Sequence, residues 1–94
     1  MPQQAMISFY HLCVCTLEVK EIFGGAMRKA RNQKGISQAQ LAFDAGLDRS
    51  YISKLETGIY QPSISTLFAI AEVLEVSPDK LVKEVYEIYL KMRK

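Results

Sequence analysis

The sequence predicts a small all-α domain of five helices, and three observations predict it. Apolar residues recur at helical spacing in one segment after another from Val19 onward. Residues that start and stop helices bracket those segments. The chain has 94 residues, 49% of them hydrophobic and 23% charged, which suits one modest core and is too apolar for a disordered chain.

The first helix is expected over Val19 to Gln33, with Ile22, Phe23, Ala26, Met27 and Ala30 along one stripe. Gly24 and Gly25 weaken it, each costing about 1 kcal/mol relative to alanine in a helix interior. Gly35 stops it, and Lys34 complements the negative end of the helix dipole. Ser37 with Gln40 reads as a capping box opening a second helix, Gln38 to Ala45, which buries Leu41, Ala42 and Ala45. Gly46 ends that helix. Asp48 caps a third, Arg49 to Thr57, which buries Ile52 and Leu55 and stops at Gly58. Pro62 and Ser63 lead into a fourth helix that runs to Leu74, with Leu67, Ala71 and Leu74 on one face. Ser77 caps a fifth, with Pro78 at its first position, where the missing N–H costs nothing.

Residues 1–18 stand apart from this domain of residues 19–94 as an apolar N-terminal arm. Ile7, Phe9, Tyr10, Cys13, Val14, Cys15 and Thr16 favour a strand, but they alternate poorly. A strand and a helical preface both remain open.

Charge narrows the function. The net charge is only +2, yet residues 20–60 carry seven cations against four carboxylates, a net +3. Residues 1–19 hold a single charge, Glu18, and residues 61–94 are balanced. No apolar run reaches the roughly 18–20 residues of a membrane span, and no charged leader precedes the arm. Two cysteines are too few for a secreted disulfide scaffold, so a cytoplasmic protein is expected. His11, Cys13 and Cys15 lack the paired spacing of a zinc site. No nucleophile–base set or carboxylate pair is visible, and Gly24-Gly25 lacks the strand that a phosphate loop needs. The expectation is a protein that is not an enzyme and has neither cofactor nor metal. No small-molecule effector is evident.

Turn signals cluster inside this positive block, between Gln38 and Thr57, where two short helices flank a glycine turn. Small Ala42 and Ala45 let the two helices cross closely. The third helix then stands proud of the body, and a protruding helix fits the major groove of DNA, about 12 Å wide. Its outer face reads Arg49, Ser50, Ser53, Lys54 and Thr57, with no carboxylate, while Glu56 points inward. The fifth helix, by contrast, mixes signs outward with Lys80, Lys83, Glu84, Glu87 and Lys91.

Met27-Arg28-Lys29-Ala30-Arg31, Gly35 to Ala42 and Gly46 to Gly58 together resemble the lambda-repressor-like, Cro-type (XRE) helix-turn-helix family. Gln61-Pro62-Ser63, Leu67, Ile70, Ala71, Leu74, Val76 and Ser77-Pro78 extend the resemblance, which spans Phe23 to Val82. Leu47 to Gly58 is especially similar to restriction–modification controller proteins. The resemblance implies a sequence-specific transcriptional regulator on double-stranded operator DNA, a restriction–modification controller or a phage-type repressor. It implies that Gln38 touches a phosphate or flanking base, and that Arg49 and Ser50 face base edges. It also implies that Lys54 reaches a base or phosphate, and that Arg31 and Glu56 form a buried ion pair. A guanidinium at Arg49 suits bidentate contact with guanine, while Tyr51 and Ser53 suit backbone contacts that set register. Residues 1–18 depart from the family, whose members often start close to the first helix, so the resemblance implies no role for the arm.

Such geometry calls for a homodimer on two half-sites. The expected interface is the fifth helix, with Tyr86, Tyr89 and Met92 poorly covered by the monomer, and Phe68 nearby on the fourth. The apolar arm around Phe9 to Val14 is the competing surface. An alternative function is an antitoxin or protein-interaction module with secondary DNA binding, and neighbouring genes discriminate the two.

Overall fold

The computed structural model describes residues 18–93. The arm assigned to residues 1–18 therefore lies outside the described residues, Glu18 excepted. Five helices follow in order: α1 Val19–Lys34, α2 Gln38–Ala45, α3 Arg49–Glu56, α4 Ile64–Leu74 and α5 Pro78–Met92. α1 packs against α3 and α5, α2 against α3 and α4, and α4 against α5. One core unites them: Met27, Leu41, Ile52, Leu55 and Ile70 are fully buried, and Leu81 is nearly so.

The helix ends explain the order of elements. α1 to α4 all close on a residue in the left-handed region: Gly35, Gly46, Gly58 and Glu75. In each case the next amide reaches back across the turn: Ile36 to Arg31, Leu47 to Ala42, Ile59 to Lys54 and Val76 to Ala71. These bonds satisfy carbonyls that the helix leaves without a partner. Ile36, Leu47 and Val76 then pack on the core, so three of the four reversals are fastened by apolar side chains. Glu75, at φ 60°, does this with a β-carbon, a strain on the order of 1 kcal/mol. Its carboxylate meets Lys34 Nζ at 3.0 Å.

Helix starts depart from expectation in detail. Ser37 Oγ accepts from the Gln40 amide at 3.0 Å, but the Gln40 side chain turns to Asp44 instead of completing the box. The reciprocal arm of a capping box occurs at α1, where Glu21 Oε1 accepts the Glu18 amide at 2.8 Å. Ser63 caps α4 through the Thr66 amide. Asp48 and Ser77 occupy the N-cap positions without a side-chain bond to a first-turn amide. Ala45 and Ala30 are half-buried, not buried.

Two glycines hold α1 against α3. A β-carbon on Gly24 would lie 2.5 Å from the Leu55 carbonyl oxygen and 2.6 Å from that of Glu56. A β-carbon on Gly58 would lie 2.9 Å from Glu21 Cα. The expectation that both glycines of the Gly24-Gly25 pair merely weaken α1 is thus corrected for Gly24. Its missing side chain is what lets α1 touch the end of α3, whereas Gly25 faces open space.

Candidate nucleic-acid interface

α2 and α3 pack against each other across the turn made by Gly46, which is in the left-handed region. Within α3, Ile52, Leu55 and Glu56 turn inward, and Arg49, Ser50 and Lys54 remain exposed. Ser53 and Tyr51 are half-buried, Tyr51 packing on the core edge. The helix has no carboxylate on its outer face because its only one, Glu56, is 5% exposed.

Glu56 sits in the last turn of α3, where a negative charge opposes the helix dipole. Cations from α1 and an amide from α2 make that position tenable. Arg31 Nε donates to Glu56 Oε2 at 2.6 Å and its Nη2 to Oε1 at 3.0 Å, while Nη1 donates to the Ile36 carbonyl at 2.9 Å. Gln38 Nε2 and Arg28 Nε also donate to Oε1, at 3.0 and 3.4 Å. Burial pushes the Glu56 carboxyl up, but bonds from Arg31 and Gln38, the Arg31 charge and Arg28 together hold it below its ordinary value. Hydrogen bonding to Glu56 raises Arg31, against the opposing effect of burial. The ion pair ties α1 to α3, and Gln38 brings the start of α2 into the same knot.

Gln38, expected to touch a phosphate or flanking base, is also bonded within the chain. One of its amide hydrogens is committed to Glu56, and its other donor and its carbonyl are what remain for a ligand. Ser50 is bonded within the chain too: its hydroxyl donates to the Asp48 carboxylate, leaving lone pairs to accept from a base. Arg49 has no hydrogen-bonding or ionic partner among the described residues, so its guanidinium is presented outward. Lys54 Nζ lies 5.7 Å from the centre of the Tyr60 ring. Spacing along the sequence does not single out Arg28 or Tyr60. Arg28 lies one turn before Arg31 on α1, which puts both cations on one face toward Glu56.

On α4 and α5, Phe68 and Tyr86 are 57% and 56% exposed. With Ile64, Leu67, Pro78 and Val82 they line an apolar groove between α4 and α5. Tyr89 and Met92 are corrected here. Both are half-buried against the core of their own chain, where α5 packs on α1. Among the described residues no His, Cys, Asp or Glu cluster could hold a metal, and His11, Cys13 and Cys15 lie outside them. Nor is any described helix long and apolar enough to cross a membrane.

A glycine turn between two short helices, the second offering a cationic outer face, defines a helix-turn-helix DNA-binding domain. A family model described as helix-turn-helix matches residues 27–81. The chain is 38% identical over 69 residues to control protein C.SmaI of Serratia marcescens, covering 73% of this chain and 82% of that protein. It is 36% identical over 67 residues to the transcriptional regulator SinR of Bacillus subtilis, covering 70% and 60%. The restriction–modification controller protein C.AhdI of Aeromonas hydrophila superposes with a TM-score of 0.65 at 39% identity, covering 66% of this chain and 94% of that one. The chain belongs to the lambda-repressor-like, Cro-type (XRE) helix-turn-helix family, and it is a DNA-binding transcriptional regulator.

Proposed function

We propose that the chain binds operator DNA as a homodimer, reads its sequence through α3, and controls a restriction–modification system. The observation that carries the reading is Arg49: exposed at the first turn of α3 and unpartnered, on a helix whose own carboxylate, Glu56, is buried, with the neighbouring Asp48 carboxylate bonded to Ser50. Ser50 and Lys54 flank it toward the bases, and Gln38, Tyr51 and Ser53 lie at the margins, where phosphates pass. Similarity to C.SmaI and C.AhdI supports the restriction–modification assignment.

The test begins with selection of bound sites from random DNA. On the selected site Arg49→Ala is expected to cost about 1–3 kcal/mol and to relax preference at one base pair. Equal losses on selected and scrambled DNA would make Arg49 a phosphate contact and remove it from the readout.

Two-fold symmetry follows from the DNA, whose half-sites recur about 34–36 Å apart on one face. The same patch on each chain must then meet itself. The α4–α5 groove supplies such a patch, lined by the exposed Phe68 and Tyr86 with Ile64 and Val82. Phe68→Lys combined with Tyr86→Lys is expected to sediment as a monomer and to lose most affinity for the two-half-site operator. A charged variant that stays dimeric, with a chain lacking residues 1–16 becoming monomeric, would transfer the interface to the arm.

A further inference from the structure

Beyond the end of α3 the chain folds back on the helix it has just left. Gly58, at φ 80°, makes the reversal, and its contact with Glu21 fixes where the reversal lies. The Lys54 carbonyl then accepts two amides, Ile59 at 2.9 Å and Tyr60 at 3.3 Å. Tyr60 is thus anchored by its backbone to the residue whose side chain it covers. Its ring centre lies 5.9 Å from that of Tyr51 with the planes 38° apart, and 5.7 Å from Lys54 Nζ. Tyr51 and Lys54 are three residues apart on α3 and share one face, so the single ring of Tyr60 spans both.

We propose that Tyr60 is a positioning residue for DNA recognition, holding the Lys54 ammonium against its ring at the C-terminal end of the recognition helix. The inference rests on the reading of α3 as the DNA-contacting helix. Lysine carries one of the largest side-chain entropies, which an exposed lysine loses on meeting DNA. An ammonium already resting on an aromatic face has lost part of that freedom beforehand, so less is lost on binding. The ring rests in turn on Tyr51, which packs on the core edge, so Lys54 is referenced to the body of the domain. A phenylalanine retains this face, whereas leucine has no π-system to offer.

The experiment has an arm without DNA and an arm with it. In the free protein, ring currents are expected to shift the Lys54 side-chain proton resonances. Tyr60→Phe should keep the shift and Tyr60→Leu abolish it. On the selected operator, Tyr60→Leu is expected to weaken Kd about two- to fivefold, the range of an exposed cation–π contact. Tyr60→Phe should bind like the wild type, and Tyr60→Leu should cost nothing further in a Lys54→Met background. Equal losses for Phe and Leu would make the Tyr60 hydroxyl a direct phosphate contact and overturn the proposal. So would a Tyr60→Leu loss that persists undiminished in the Lys54→Met background, or an unshifted Lys54 in the free protein. Arg49→Ala in the same assay separates the two failures. If it and Lys54→Met both bind like wild type, the reading of α3 itself is wrong and the proposal falls with it. If Arg49→Ala weakens binding while the Tyr60 cycle is additive, only the role of Tyr60 is lost.

Discussion

Arg31→Met is expected to lower the free energy of unfolding by about 3 kcal/mol, the largest loss among exchanges of charged side chains in this domain. The Glu56 side chain is fully buried and that of Arg31 only 12% exposed, so removing the guanidinium strands a carboxylate away from water. Gln38 and Arg28 continue to donate to Oε1, which places the loss at the lower end of the 3–5 kcal/mol typical of a broken buried pair. The second oxygen, Oε2, keeps no donor. Arg31→Met with Glu56→Leu removes both charges, and much of the lost stability should return, because apolar residues of similar volume replace a buried pair at little cost. Denaturant unfolding of the three proteins checks this. A single variant that unfolds like wild type would show that water reaches the pair.

Acid should act on the same contact. The folded carboxyl of Glu56 titrates below its ordinary value, so the folded state holds its proton less tightly than the unfolded chain does. Stability from this group is therefore complete above the ordinary glutamate range, and is lost as pH falls through the depressed value. The double variant lacks the group and should lose less stability than wild type over that acid interval. Carboxylates shared by both proteins cancel in the comparison.

Local signals made α2, the Gly46 turn and α3 legible in the sequence, because each depends on neighbours within four residues. Ser37 beside the Gln40 amide, Gly46 in the left-handed region and Ile52 with Leu55 on one face all act at that range. The ion pair of Arg31 and Glu56 came from family resemblance, since 25 residues separate its partners. The binding of Gln38 to Glu56, the cover of Tyr60 over Lys54 and the burial of Tyr89 and Met92 depend on how helices meet. No periodicity within one segment encodes that. Glu75 shows the limit of punctuation rules: α4 ends on a left-handed residue that carries no glycine signal, held by Val76 packing on the core behind it.

Gly24 and Gly25 separate the two kinds of information most sharply, since they are adjacent, both helical, and expected to respond with opposite sign. In Gly25→Ala the new methyl meets nothing within 4 Å, so only helix propensity changes, and a gain of about 1 kcal/mol is expected. In Gly24→Ala the same propensity gain is offset by a collision. The methyl would lie 2.5 and 2.6 Å from two backbone carbonyl oxygens, Leu55 and Glu56, which no side-chain rotation can clear. Either α1 withdraws from α3, lengthening the bonds from Arg31 and Arg28 to Glu56, or the last turn of α3 deforms. Overpacking of this kind costs up to about 3 kcal/mol, leaving a net loss near 2 kcal/mol once propensity is credited. The last turn of α3 also carries Lys54, so Gly24→Ala should weaken operator binding even where the protein remains folded, whereas Gly25→Ala should not. Thermal unfolding and operator affinity of the two variants, measured side by side, test the argument. A Gly24→Ala protein that melts as high as Gly25→Ala would mean that α1 and α3 have room between them, and that the close approach does not set the position of the recognition helix.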